Sequence, residues 1–181
     1  MKRPSDIAVA SLLAALVVIG TGAAGHIQAG LSSPDDVLGT LGGVVAPWTA
    51  AVVLCAVTVA IHAFVARAVF IEYLDCNLSR RRLVVGMLAL VLAHAAEIHI
   101  FGLGLYAYAS AMDESLGGLA EERLIDYLYF SYVSYTSLGL GDIYPEGSLR
   151  LIVGIEALTG LLMIGWSASM TVVLFRREWF T

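Results

Sequence analysis

Four long apolar runs organise this sequence: Ile7–Gly25, Pro47–Ala66, Leu83–Met112 and Leu151–Phe175. The first two carry no charge, the third only Glu97 and the fourth only Glu156. Each meets or exceeds the roughly 18 apolar residues that mark a membrane helix. The first run follows Lys2-Arg3 and so also has the outline of a secretory signal, but its apolar part is long for one, and it is read as a span. Between the third and fourth runs lies a shorter apolar, aromatic-rich segment, Leu124–Thr136, too short to cross a bilayer. It is expected to enter as a half-helix and return as extended chain. Glu121 and Glu122 suit its amino-terminal turn, where carboxylates meet the positive helix end.

Composition sharpens this picture. The chain is 59% hydrophobic with a mean hydropathy of +0.85, above the apolar share of ordinary soluble domains. Its 181 residues suit one compact membrane unit. A net charge of −5 without a basic patch argues against a nucleic-acid partner. Cys55 and Cys76 are roughly 30 Å apart if the intervening run is helical, at about 1.5 Å per residue, too far to bridge.

The basic residues set an orientation. Lys2, Arg3, Arg67, Arg80 to Arg82, Arg176 and Arg177 fall on one side of a four-span chain, with Arg123 and Arg150 on the other. That second side is acidic, with Asp35, Asp36, Asp113, Glu114, Glu121, Glu122, Asp142 and Glu146. The expectation is a plasma (inner) membrane protein with both termini cytoplasmic.

The segment after the half-helix carries the most specific chemistry: Tyr135-Thr136-Ser137-Leu138-Gly139-Leu140-Gly141-Asp142-Ile143-Tyr144-Pro145. Its two glycines permit backbone angles that turn successive carbonyls the same way. Non-helical backbone at membrane depth is tolerated only where it is buried in protein or lines an aqueous path. Rings of carbonyls with a hydroxyl below them can replace the water shell of a cation.

This segment resembles the pore loop of the potassium-channel superfamily, whose usual signature reads Thr-Thr-Val-Gly-Tyr-Gly-Asp. The resemblance covers about the last hundred residues. It implies an all-α membrane protein with four transmembrane helices and a re-entrant pore helix and selectivity filter between the third and fourth. Residues 1–79 would hold two amino-terminal helices (7–25 and 47–66). Residues 80–181 would hold the pore domain, with outer helix 83–112, pore helix 121–136, filter 137–142 and inner helix 149–175. Potassium would bind the carbonyls of Leu138, Gly139 and Leu140 and the hydroxyl of Ser137, with Gly141 completing the filter and Asp142 at the outer mouth. Tyr129 and Phe130 fall where the family commonly has paired pore-helix tryptophans, and Thr136 ends that helix. Gly160 takes the place of an inner-helix hinge glycine, with close helix packing as an equal alternative. Ile164 and Ala168 are assigned to the cavity side by helical spacing.

One departure stands out. Leu140 replaces the usual filter tyrosine, as in the second pore loops of some two-pore-domain potassium channels, and cannot hydrogen-bond to the pore helix. Packing rather than hydrogen bonding is therefore expected to hold the filter, and discrimination against sodium is left open.

The remaining ionisable residues inside the spans are functional candidates by default. His94, Glu97 and His99 share the outer helix, His62 lies at similar depth to His94, and Glu156 lies one turn before Gly160. His94, Glu97 and His99 are candidate proton sensors, and alternatively buried hydrogen-bond partners that hold helices together. His94 and Glu97 alone make a weak metal site. No helix bears arginines at every third position, so a voltage sensor is not expected. Only Arg176 to Thr181 follow the last span, so no soluble ligand-binding domain is expected.

The reading is a homotetrameric potassium channel in membrane lipid with no cofactor beyond the permeating ion. The alternatives are a weakly selective sodium/potassium channel, a metal-dependent membrane enzyme on His94, Glu97 and His99, and a non-conducting sensor or scaffold.

Overall fold

A computed structural model describes residues 34–75 and 80–179; the first expected span, Ile7–Gly25, lies outside them. Two compact units, Met1–Thr49 and Ala50–Thr181, divide the chain, and every contact between elements given below lies within the second. Four helices follow in order: α1 (Pro34–Asp75), α2 (Arg80–Met112), α3 (Leu124–Tyr135) and α4 (Leu149–Trp179). Three stretches of them are long and apolar enough to cross a membrane: Val45–Ile71, Arg81–Met112 and Leu149–Arg176. The protein is a helical membrane protein.

Helix α1 begins well before Pro47, where the span was expected to start, and runs through that proline. Proline removes one helical N–H bond, but helices in lipid tolerate it, so Pro47 marks no boundary. Helix α3 has only 12 residues, about 18 Å at 1.5 Å per residue against a hydrocarbon core of about 30 Å.

The all-α expectation also needs one addition. Two short strands, β1 (Leu116–Gly117) and β2 (Tyr144–Pro145), pair antiparallel, with Leu116 opposite Pro145 and Gly117 opposite Tyr144. They join the segment before α3 to the segment after the glycine motif.

Carboxylates fix the ends of this loop region. Glu121 and Glu122 were expected in the first turn of α3, but the helix starts at Leu124. Asp126 takes that place and accepts the Arg123 backbone N–H at 3.0 Å and its guanidinium at 3.2 Å. Glu122 is engaged elsewhere, accepting the Leu116 N–H at 3.1 Å and the Tyr127 hydroxyl at 2.5 Å. Glu114 caps α4 from across the loop, accepting the Ser148 N–H at 3.1 Å, the Ser148 hydroxyl at 2.6 Å and the Leu149 N–H at 3.0 Å. Those donors are the ones a helix start leaves without intrahelical partners.

Helices that are apolar all round gain nothing by hiding one face from lipid, so small and polar residues decide how they meet. Ile98 and Phe101 of α2, Tyr135 of α3 and Met163 of α4 form one core, with Leu54 and Val59 of α1 against it. Val69, Leu83 and Leu174 form another, joining α1, α2 and α4. His62, Glu97, Ser131, Glu156 and Thr58 are buried as fully as these apolar residues.

Candidate functional site

Helix α3 ends in a way that sets up the segment behind it. Thr136 is the last residue with right-handed angles, and Ser137 turns to a φ of 56°. The Ser137 N–H donates to the Ser134 carbonyl at 2.9 Å and the Leu138 N–H to the Val133 carbonyl at 3.0 Å. That bond pair is a Schellman stop, which needs a left-handed residue at its pivot. Glycine usually fills the pivot; here serine does, at a cost of roughly 1–2 kcal/mol for an L-residue in that region.

Positive φ then recurs at Gly139 (58°) and Gly141 (78°) and at neither leucine between them. Ser137, Leu138, Gly139, Leu140, Gly141 and Asp142 are all exposed within one chain. Among the described residues nothing lies within 4 Å of where a Cβ would stand on either glycine, so conformation, not crowding by them, calls for glycine there.

Two contacts tie this segment to its surroundings. The Tyr129 hydroxyl of α3 donates to Asp142 Oδ2 at 2.8 Å. This bond holds the Asp142 carboxyl below the usual carboxylate range. At the other end, the Tyr135 carbonyl lies against α4 at Gly160, where a Cβ would fall 2.0 Å from its oxygen. Gly160 thus packs closely on α3, as the second of the two readings of its sequence position expects.

Ser131 and Glu156 meet deeper, behind α3. The Ser131 hydroxyl has one hydrogen and two oxygen neighbours, the Ile98 carbonyl at 2.8 Å and Glu156 Oε1. Both contacts are satisfied when the carboxyl of Glu156 is protonated. Among the described residues, Glu156 Oε2 has no hydrogen-bond partner.

A second polar group surrounds Tyr135. Glu97 Oε1 lies 2.9 Å from His62 Nδ1, and Glu97 Oε2 accepts the Tyr135 hydroxyl and lies 3.5 Å from His94 Nδ1. His94 Nδ1 is also 3.2 Å from the Tyr135 hydroxyl. Behind the rings, Ser167 Oγ lies 3.0 Å from His94 Nε2 and 3.3 Å from His62 Nε2. The circuit joins α1, α2, α3 and α4.

A family model described as ion channel matches residues 86–177, just over half of the chain. The chain belongs to this ion-channel family. Its matched part is a pore module of the potassium-channel superfamily. No curated protein and no solved structure matched the chain in the same comparisons.

Within the channel module, the residues singled out from the sequence divide into groups. Phe130 is buried and Tyr129 exposed, with its hydroxyl on Asp142. That bond corrects the expectation that packing alone holds the motif. The Thr136 hydroxyl donates back to the Tyr132 carbonyl at 2.7 Å, inside the helix end. Ile164 and Ala168 are exposed one turn apart on α4.

His99 does not join His94 and Glu97. It is exposed, with Nδ1 2.6 Å from the Ala95 carbonyl and its ring edge-on to Tyr132. A residue two positions from Glu97 faces another side of a helix, which is why the proposed trio separates. An enzyme site on those three residues loses its geometry for the same reason. His62 takes the vacated place, and its sequence signal was only its depth. Ser131, Tyr135 and Ser167 carried no signal, since single hydroxyls in apolar helices are common.

Proposed function

We propose that this chain forms a homotetrameric potassium channel in which Ser137 to Gly141 line the ion path with backbone carbonyls. The observation that carries the reading is the alternation of left-handed φ at Ser137, Gly139 and Gly141. Residues that alternate between mirror-related backbone regions point successive peptide groups to one side, as known for backbone N–H groups in anion-binding nests. Facing the axis, such carbonyls replace the water around a potassium ion.

A single chain offers one quarter of that cage, and four copies around an axis complete it. Leu138 and Leu140 support assembly, because each is about three-fifths exposed in one chain. Large apolar groups held by a rigid turn call for cover from neighbouring copies. The length of α3 supports a re-entrant pore helix, whose carboxy-terminal end favours a cation below the filter. Asp142 then sits at the outer mouth, and the acidic loops face outward with both termini in the cytoplasm.

Permeation that is only weakly selective for potassium over sodium is the second reading, favoured by Leu140. It offers no hydrogen bond to α3, leaving Tyr129 and Asp142 as the polar link. Reversal potentials of the purified protein in planar bilayers, under opposed potassium and sodium gradients, test both readings. A reversal near the potassium equilibrium potential is expected. One near zero favours weak selectivity, and no current from assembled tetramers refutes conduction.

A further inference from the structure

We infer that His62, His94, Glu97 and Tyr135 form a binding site for a divalent transition-metal ion of the zinc type, where the helices pack behind the carboxy-terminal end of α3. Three of these residues offer ligand atoms within 4.8 Å of one another: His62, His94 and Glu97. The Tyr135 hydroxyl adds a fourth ligand atom between His94 Nδ1 and Glu97 Oε2.

The histidine spacings approach those of a tetrahedron. With metal bonds of roughly 2.0–2.1 Å, ligand atoms stand about 3.3 Å apart. The separations here are 2.9 Å (His62 Nδ1 to Glu97 Oε1), 3.5 Å (His94 Nδ1 to Glu97 Oε2) and 3.2 Å (His94 Nδ1 to Tyr135 Oη). The histidines approach different oxygens of Glu97, and the Tyr135 hydroxyl is hydrogen-bonded to Oε2, so the ion would part Tyr135 from Glu97 and turn the carboxylate to bring one oxygen to both rings.

The hydrogen bonds behind the rings also fit a metal, since one serine oxygen faces both Nε2 atoms. With a metal on both Nδ1 atoms, each ring carries its hydrogen on Nε2, and Ser167 Oγ accepts both through its two lone pairs. An outer oxygen that fixes the tautomer of each ligating histidine is the usual second shell of a metal site.

Glu97 supplies one carboxylate to oppose the ion's charge, which matters in a membrane interior where an unpaired charge is costly. Nitrogen and oxygen ligands in a tetrahedron suit zinc rather than calcium or magnesium, which prefer more oxygens. Four protein ligands leave no open position, as in structural rather than catalytic sites. His62 and Glu97 are fully buried, whereas the His94 side chain is 17% exposed within one chain.

The test is metal binding by the purified full-length protein in detergent, dialysed against buffered zinc and assayed by elemental analysis, with cobalt(II) as a spectroscopic probe. The expected result is about one ion per chain and intense tetrahedral cobalt absorption. His62→Ala with His94→Ala should abolish both, and His99→Ala should change neither. Ser167→Ala should weaken zinc roughly 10- to 100-fold while keeping the tetrahedral spectrum. Wild-type protein that binds no stoichiometric ion, or shows octahedral cobalt, overturns the assignment without any variant being needed. So does undiminished binding by the double variant. None of these readings depends on current, so failure of the site and failure of conduction are separable.

Discussion

Tyr129 and Asp142 are joined by a 2.8 Å hydrogen bond that spans the glycine motif, from the middle of α3 to the residue just beyond Gly141. With the Schellman stop at Ser137, it fixes the motif at both ends. The carbonyls between are thereby left free of helical partners, the condition for them to serve an ion.

The bond predicts coupling. Tyr129→Phe and Asp142→Asn should each raise sodium permeability relative to potassium, and the double variant should be no worse than either single one. A double-mutant cycle on permeability ratios measures this. Additive effects would mean that the two residues act separately.

On the proposed arrangement, the same bond sets a pH response at the outer mouth. Asp142 has its carboxyl lowered by the Tyr129 hydroxyl, so the link is intact above the usual carboxylate pKa of about 3.9 and is lost only as pH falls through the lower folded value. Tyr129→Phe should move the acid inflection of flux upward, toward that ordinary value. Titration of the outer solution at fixed inner pH reads the shift, and an unmoved inflection would assign it to another group.

Gly139→Ala should abolish potassium flux while the tetramer still assembles. Its φ of 58° suits glycine, and no described atom of its own chain is near enough to clash with the added methyl. On the proposed tetrameric arrangement the damage is therefore confined to backbone angle and to the axis where copies would meet. Flux assays on size-selected tetramers decide it.

Gly160→Ala should destabilise the protein by about 1–3 kcal/mol or more, because its Cβ would stand 2.0 Å from the Tyr135 carbonyl oxygen. Gly154→Ala in the same helix meets nothing within 4 Å and should be neutral or slightly stabilising, by up to about 1 kcal/mol. Thermal unfolding in detergent compares them. Equal stability with altered gating would restore the hinge reading.

Glu156→Gln should leave assembly and flux within about twofold, since a neutral amide can keep the contact with Ser131 that a protonated carboxyl makes. Glu156→Lys should prevent stable assembly, because an unpaired buried charge costs several kcal/mol. Size-exclusion profiles separate the outcomes. Loss of assembly in the Gln variant would mean that the site needs a carboxylate.

The sequence by itself determined the membrane class, the three long apolar helices among the described residues, the short helix before the motif and the motif's family. These follow from length, hydropathy and the spacing of two glycines, all local along the chain. It misjudged details that depend on competing partners. Glu122 looked like a helix-start carboxylate until Leu116 and Tyr127 were seen to claim it, and Pro47 looked like a boundary that α1 does not observe. Only the tertiary structure decided which polar residues inside the spans meet: His62 with Glu97, Tyr135 with both Glu97 and His94, and Ser131 with Glu156. The physical reason is that a helix apolar all round carries no periodic mark of its inner face. In such helices a close approach such as Gly160 on Tyr135, together with hydrogen bonds between distant residues, sets the rotation of each helix, and neither is written in local pattern.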